Sequence, residues 1–341
     1  MKALGFFVKF FLVFCWGIWA SQFSVPETSK QQEFTYSNVK TADNITVSVA
    51  RYCGVGRHHE SPKKMIILPG KTCNDAWKKF IALKFVSHGF DVFVLDFRGQ
   101  GRSQRLVPNP QMIHVDNFND YLLDLEALVS SKPIKGMPIY LYGHSMGGLV
   151  ALLALKKSKI NCTAAILEAP MIGINTSPVP SFLAHPLAWF TVKVLKKAKD
   201  YCITQSDYNP KKNVFSDNKC SHSEELYNQF IHLQERDKTM VPRGPSWGWI
   251  FASFRAIREF LKDLKPQDTL KTKIFIGTAG DDRVVDTAHN EKVALSFHAI
   301  HKVYAGAWHS LQHDSKITRE AFFNDIAEFL NNLDRFAKNT S

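Results

Sequence analysis

The chain has 341 residues, 45% of them hydrophobic and 22% charged, an ordinary globular composition that excludes a disordered, collagen-like or coiled-coil protein. At roughly 100–200 residues per domain it fits two domains, or one large α/β domain carrying an insertion. Its 43 Lys and Arg against 31 Asp and Glu leave a formal charge of +12, which points to anionic partners but is silent on fold. The 26 Phe suit a large apolar core or an apolar cleft.

Lys2 and Lys9 precede an uncharged run from Phe10 to Ala20. A basic start, an apolar stretch and a small residue ahead of Ser21 read as an export leader over residues 1–20. The run is shorter than the ~20 residues of a spanning helix, so a cleaved signal is expected; with Lys9 snorkelling, residues 3–20 would serve instead as an uncleaved anchor. The protein is therefore expected to be exported or membrane-associated. Beyond Cys15 the cysteines are Cys53, Cys73, Cys162, Cys202 and Cys220, without zinc-site spacing. Cys202–Cys220 is the most local disulfide candidate for an oxidising compartment, and buried free thiols fit equally well.

From Glu33 to Cys53 the sequence reads as strands, with Ile45 to Ala50 alternating apolar and polar. Short unbroken apolar runs follow at Met65–Leu68, Val92–Leu95, Ile139–Tyr142, Ala164–Leu167, Ile274–Ile276 and Val303–Tyr304. Helical spacing separates them, as in Phe118, Tyr121, Leu122, Leu125 and Leu128, or Leu149, Leu152, Leu153 and Leu155. Strands buried on both faces alternating with amphipathic helices predict an α/β fold with a doubly wound, mostly parallel sheet. The alternation breaks once, between Leu167 and Ile274. That stretch carries Pro178, Pro180, Pro186, Pro210, Pro242 and Pro245, and helix-like pieces at Trp189–Lys199 and Glu224–Gln234. An insertion between two late strands, at the sheet end where ligands bind, predicts a helical cap over a cleft. The expected layout is a core of residues 31–170 and 271–341, with a cap at 171–270.

Gly143-His144-Ser145-Met146-Gly147 follows a buried strand and opens an apolar helix, the strand–turn–helix setting that gives G-x-S-x-G its meaning. The glycines allow a tight turn that holds Ser145 out at the top of the sheet, and the Met146 N–H stands at a helix start where a negative oxygen is favoured. A nucleophilic serine needs a base, and the base a carboxylate. The strand at Ile274–Gly277 runs into Asp281-Asp282-Arg283-Val284-Val285, and the next strand into Gly306-Ala307-Trp308-His309. Glu168 also ends a strand, and His313 shares a helix spacing with His309; both are secondary candidates.

These segments resemble the α/β-hydrolases of the monoglyceride lipase and lysophospholipase group, most of all its bacterial membrane-associated lysophospholipases. The likeness rests on DFRGQGRS (Asp96–Ser103), GHSMGG (Gly143–Gly148), EAPMIGI (Glu168–Ile174), HSEELY (His222–Tyr227), GPSWGW (Gly244–Trp249), DRVVD (Asp282–Asp286) and GAWH (Gly306–His309), spread from about residue 60 to 310. The resemblance implies a triad of Ser145, Asp282 and His309, with Asp282 preferred to Asp281 because the family's acid precedes an x-Val-Val step. It implies a second oxyanion donor from the loop at Leu68-Pro69-Gly70-Lys71, the Lys71 N–H, beside that of Met146. Many relatives have His-Gly where this chain has Pro69-Gly70, which affects the support of the loop more than its main-chain donor. Arg98 and Gln100 are expected to hold loops.

The implied reaction is two-step acyl transfer without a metal or organic cofactor. The expected substrate is a lysophospholipid, with monoacylglycerol or another carboxylic ester as the alternative. Phe182, Leu183, Leu187, Trp189, Phe190, Trp247, Trp249, Phe251 and Phe254 offer surface for an acyl chain, although any one of them equally suits a small core within the cap. A proline-iminopeptidase-like peptidase shares the DxRGxGxS turn but usually carries Gly-Gly-Ser-Trp-Gly at the elbow. A non-enzymatic lipid-binding protein is the alternative of another class, and no motif supports a nucleic-acid partner. The positive charge concentrates in residues 51–105 (11 basic, 4 acidic) and 191–220 (7 basic, 3 acidic). Both stretches are expected to dock the enzyme on an anionic membrane surface.

Overall fold

Apolar runs of four or five residues satisfy both their backbone and their side chains only in a sheet covered on two faces. The computed structural model describes residues 32–54, 63–73, 75–209, 214–236, 243–262, 264–267 and 270–339, and it places every run but the last, Val303–Tyr304, in that setting. The strands are β1 (Gln32–Lys40), β2 (Thr46–Gly54), β3 (Lys64–Leu68), β4 (Asp91–Leu95), β5 (Met112–Ile113), β6 (Ile139–His144), β7 (Ala164–Glu168), β8 (Gly244–Pro245), β9 (Lys273–Ala279) and β10 (Ile300–Tyr304). Eight of them form one sheet in the order β1-β2-β4-β3-β6-β7-β9-β10. β2 pairs antiparallel with β1 and β4, and every pair from β4 to β10 is parallel. The period of two sends Ile66 and Leu68 of β3 into one apolar cluster and Met65 and Ile67 into the other.

The first cluster is covered by helices α2 (Asn119–Val129), α3 (Met146–Lys156) and α6 (Trp247–Leu261). The second is covered by α1 (Asp75–Ser87) and α8 (Lys316–Asn339). Helix α7 (Asn290–Ser296) lies between β9 and β10 in the chain. β10 differs from the other parallel strands: as the sheet edge it exposes Ile300 and Val303.

The stretch between β7 and β9 supplies α4 (Ser181–Lys193), α5 (Glu224–Arg236), α6 and strand β8, which pairs in parallel with β5 from the core. The helix expected over Trp189–Lys199 is displaced. It begins after Pro180, contains Pro186, and stops where Leu195 N–H reaches back to Phe190 and Lys196 takes φ 59°. An internal proline is disfavoured in a helix, which is why the sequence pattern places the start too late. Among the described residues no helix is long and apolar enough to cross a membrane. The leader at residues 1–20 lies outside the described residues. The five cysteines beyond it are free thiols, Cys202 and Cys220 included.

Candidate active site

The turn from β6 into α3 leaves Ser145 at φ 53° and ψ −114°, a conformation that costs a non-glycine residue. Its neighbours hold it there: Ser145 N–H donates to the Glu168 carbonyl at 2.9 Å, and its own carbonyl accepts from Met171 N–H at 2.9 Å. The glycines of the elbow are required by contact. A Cβ on Gly147 would sit 1.9 Å from the Leu68 carbonyl oxygen, and one on Gly143 would sit 2.9 Å from Gly148 Cα. The loop after β3 therefore lies directly against the elbow. A Cβ on Gly70 would meet His144 Nδ1 at 2.7 Å and Ser145 Cβ at 3.2 Å. Lys71 follows in that turn, and Met146 is the first residue of α3, where backbone N–H groups have no partner within the helix.

Gln100 ties these parts together, accepting from Thr72 N–H at 3.4 Å and reaching Met146 Sδ at 3.6 Å. Arg98 is buried. It bonds Asp124 through Nε at 2.8 Å and Asp43 through Nη1 at 2.6 Å, so Arg98 and Gln100 of DFRGQGRS both hold loops.

The loops after β9 and β10 bring His309 to Asp282, with Nδ1 2.8 Å from Oδ2. The other carboxylate oxygen accepts the N–H groups of Val284 and Val285 at 2.8 and 2.9 Å. A fully buried carboxylate held this way fixes the proton on Nδ1 and leaves Nε2 as the basic nitrogen. Asp281 points elsewhere, accepting from Arg283 and from the Trp308 indole.

Ser145 and His309 line one cavity of about 330 Å³ with Lys71, His144, Val284 and His313. The inserted segment closes it with Cys220, Tyr227, Phe230, Ile231 and Arg243. None of the nine apolar residues singled out in the sequence for an acyl chain lines this space. Trp249 is buried and donates to the Tyr121 hydroxyl at 3.0 Å, whereas Phe182, Leu183, Trp189 and Phe190 face outward. The apolar wall comes instead from Trp77, Phe230, Ile231 and Val284. Phe230 and Ile231 are neighbours on α5, but Trp77 stands on α1 and Val284 in the loop after β9, so no local pattern marks the wall as a whole.

The inserted segment is stitched to the histidine loop. Asp314, fully buried, accepts from Trp308 N–H at 2.8 Å, His222 N–H at 2.8 Å and His222 Nδ1 at 2.6 Å. The His222 ring lies 4.0 Å from that of Trp308. Ser310 N–H donates to the Cys220 carbonyl at 2.8 Å, and the Ser221 hydroxyl donates to the His313 carbonyl. His222 opens the HSEELY segment that carries part of the family likeness, but neither the seam nor its partner Asp314 stood out in the sequence.

The two secondary candidates have other surroundings. Glu168 is buried against the Tyr142 hydroxyl and accepts from Gln312 N–H at 3.1 Å; burial pushes its carboxyl up to about 8. His313 sits among Phe80, Phe230 and Trp77, where burial pushes its imidazole down to about 3. His144 is also buried, 5.0 Å from the His309 ring; burial, reinforced by the other two histidines, keeps it well below its usual range and so neutral.

The sequence pattern of the family described as "Serine aminopeptidase, S33" matches residues 60–316. Lysophospholipase L2 of Escherichia coli is 30% identical over 301 residues, which is 85% of each chain. The monoglyceride lipase of Homo sapiens is 26% identical over 69% of this chain and 71% of its own. Among solved structures, a soluble variant of the Saccharomyces cerevisiae monoglyceride lipase superposes with a TM-score of 0.68 at 19% identity, over 92% of this chain and 98% of that one. The sheet order, the serine turn and the family match lead to one assignment: the chain belongs to the serine aminopeptidase S33 family of α/β-hydrolases, within its monoglyceride lipase and lysophospholipase group.

Proposed function

We propose that the protein is a carboxylic ester hydrolase that cleaves the acyl ester of a lysophospholipid through an acyl-enzyme at Ser145. The observation that carries the reading is the 2.8 Å contact between His309 Nδ1 and the buried Asp282, at a cavity that Ser145 shares. His309 Nε2 takes the Ser145 proton as the hydroxyl attacks the ester carbonyl. Lys71 and Met146 donate their main-chain N–H groups to the oxyanion, and Asp282 stabilises the imidazolium. The alcohol leaves with the proton from His309, and water then releases the fatty acid by the reverse use of the same base.

The similarity to lysophospholipase L2 and the amphipathic cavity support a lipid ester as substrate; monoacylglycerol is the second reading, supported by the similarity to monoglyceride lipases. An aminopeptidase must hold a substrate ammonium. The cavity offers Lys71 and Arg243 and, among the described lining residues, no carboxylate to do so. The test is labelling with a fluorophosphonate and turnover of a lysophospholipid and monoacylglycerol panel, wild type against Ser145→Ala. The variant is expected to fold, to lose the label and to lose at least about a thousandfold in turnover. Turnover that survives in the folded variant retires the assignment.

The working place is proposed to be an anionic membrane surface, reached by export or anchoring through residues 1–20. Helix α4 supports it. Phe182, Leu183, Trp189 and Phe190 are exposed on it, and the exposed Lys193, Lys196, Lys197 and Lys199 follow at once.

A further inference from the structure

The catalytic cavity shares Arg243 and Tyr227 with a second hollow of about 370 Å³. The two differ in chemistry. The first joins the apolar wall to two cations, Lys71 and Arg243. The second is lined by Thr204, Gln205, Ser206, Asp207, Asn209 and Asp217, with two carboxylates and, besides the shared Tyr227, no aromatic or aliphatic side chain among its described residues.

Their boundary is a built one. The Arg243 guanidinium lies over the Tyr208 ring, 5.1 Å from its centroid. Gln111 holds both partners, its carbonyl accepting Arg243 N–H at 2.7 Å and its Oε1 accepting Tyr208 N–H at 2.7 Å. The short β5·β8 pairing carries this frame from the core into the inserted segment. On the other side of the hollow, Asn109 Nδ2 donates to Asp207 at 2.8 Å. Burial lowers the Lys71 ammonium below the usual lysine value, and the Arg243 charge acts in the same direction. An anion placed between the two cations relieves both effects.

We propose that Lys71 and Arg243 receive the phosphodiester of a zwitterionic lysophospholipid, and that its ethanolamine or choline group continues past Arg243 towards Asp207 and Asp217. The sequence of charges along the site then matches the order of the ligand: ester at Ser145, phosphate at the cation pair, ammonium at the carboxylates. Tyr227 lines both hollows and suits the alkylammonium end. The assignment rests on the lysophospholipid reading above and adds to it a headgroup class and the residues that select it. A monoacylglycerol has neither charge and would leave both groups of residues unused.

The test uses the full chain and three substrates of one acyl length, each below its micelle-forming concentration: lysophosphatidylethanolamine, lysophosphatidylglycerol and monoacylglycerol. Arg243→Gln is expected to lower the kcat/KM ratio of lysophosphatidylethanolamine to monoacylglycerol at least tenfold, mainly through KM, and Arg243→Lys is expected to recover part of it. Asp217→Asn, an exposed change, is expected to lower the ratio of lysophosphatidylethanolamine to lysophosphatidylglycerol at least threefold. Equal losses on all three substrates in both Arg243 variants overturn the phosphate site, and an unchanged headgroup ratio in Asp217→Asn overturns the ammonium site. Wild type that consumes monoacylglycerol and none of the lysophospholipids overturns the underlying reading instead, so the two failures are told apart.

Discussion

Glu168 sits at the last position of β7, and its main-chain carbonyl accepts the Ser145 N–H. Its carboxyl titrates near 8 in the folded protein, against an ordinary value of 4.5, because burial penalises the carboxylate. The unfolded chain therefore loses this proton first, and folding stability falls as pH rises from about 4.5 to about 8, by a total on the order of a few kcal/mol. Glu168→Gln keeps the shape without the ionisation. Urea midpoints of wild type and Glu168→Gln should converge below about pH 4.5 and separate by pH 8 in favour of the variant; parallel curves would show that Glu168 is ionised in the fold. Residues at this scale were legible where their signal is local. Ser145 stands in its own motif, and Asp282 and His309 stand in short loops at strand ends. Glu168 was noticed in the sequence, but its role depends on Tyr142 and Gln312, 26 and 144 positions away, which no short pattern connects. The x-Val-Val step that favours Asp282 over Asp281 in the sequence has a physical meaning in the fold: the N–H groups of Val284 and Val285 turn Asp282 towards His309.

At the scale of elements, the seam between the inserted segment and the histidine loop depends on one carboxylate. Asp314 satisfies three donors, two on the inserted segment and one on the loop that carries His309. Asp314→Ala takes the buried acceptor away from the N–H groups of Trp308 and His222, residues that are themselves partly exposed, at a cost of roughly 1–3 kcal/mol. A lower thermal midpoint is expected, with a fall in kcat that exceeds any change in KM. An unchanged midpoint would mean that water replaces the carboxylate without loss. The sheet was readable because each strand is a short apolar run with its own boundaries. Helix α4 was misplaced because its exposed Phe182, Leu183, Trp189 and Phe190 follow no core-facing period and Pro186 lies within it.

Over the whole molecule, the two basic stretches turn out to differ. Of the eleven basic side chains in residues 51–105, six meet carboxylates among the described residues of the fold, three of those carboxylates from outside the stretch. Arg51 and Lys64 share Asp91, Lys78 bridges Asp75 and Asp96, Arg98 bridges Asp43 and Asp124, Lys63 meets Asp334 and Arg102 meets Asp75. Net charge counted along the sequence misses this because partners such as Asp43 and Asp334 lie outside the stretch. In the second stretch Lys193, Lys196, Lys197 and Lys199 are exposed, directly after the exposed apolar residues of α4. Flotation with vesicles should therefore show binding that rises with anionic lipid and weakens between 0.05 and 0.5 M salt, values chosen to move the screening length from roughly 14 to 4 Å. Phe182→Ser with Trp189→Ser should weaken it at least about tenfold against wild type of the same length. Binding indifferent to salt, lipid charge and these two side chains would remove the membrane from the picture.

The seam at Asp314 also bears on how such enzymes can be recombined. Because Cys220, Ser221 and His222 bond to residues 308–314 across it, an insertion transplanted from a relative would arrive without its counterpart. A chimera with a working site would have to exchange two separate pieces of chain together, the insertion and the turn after β10.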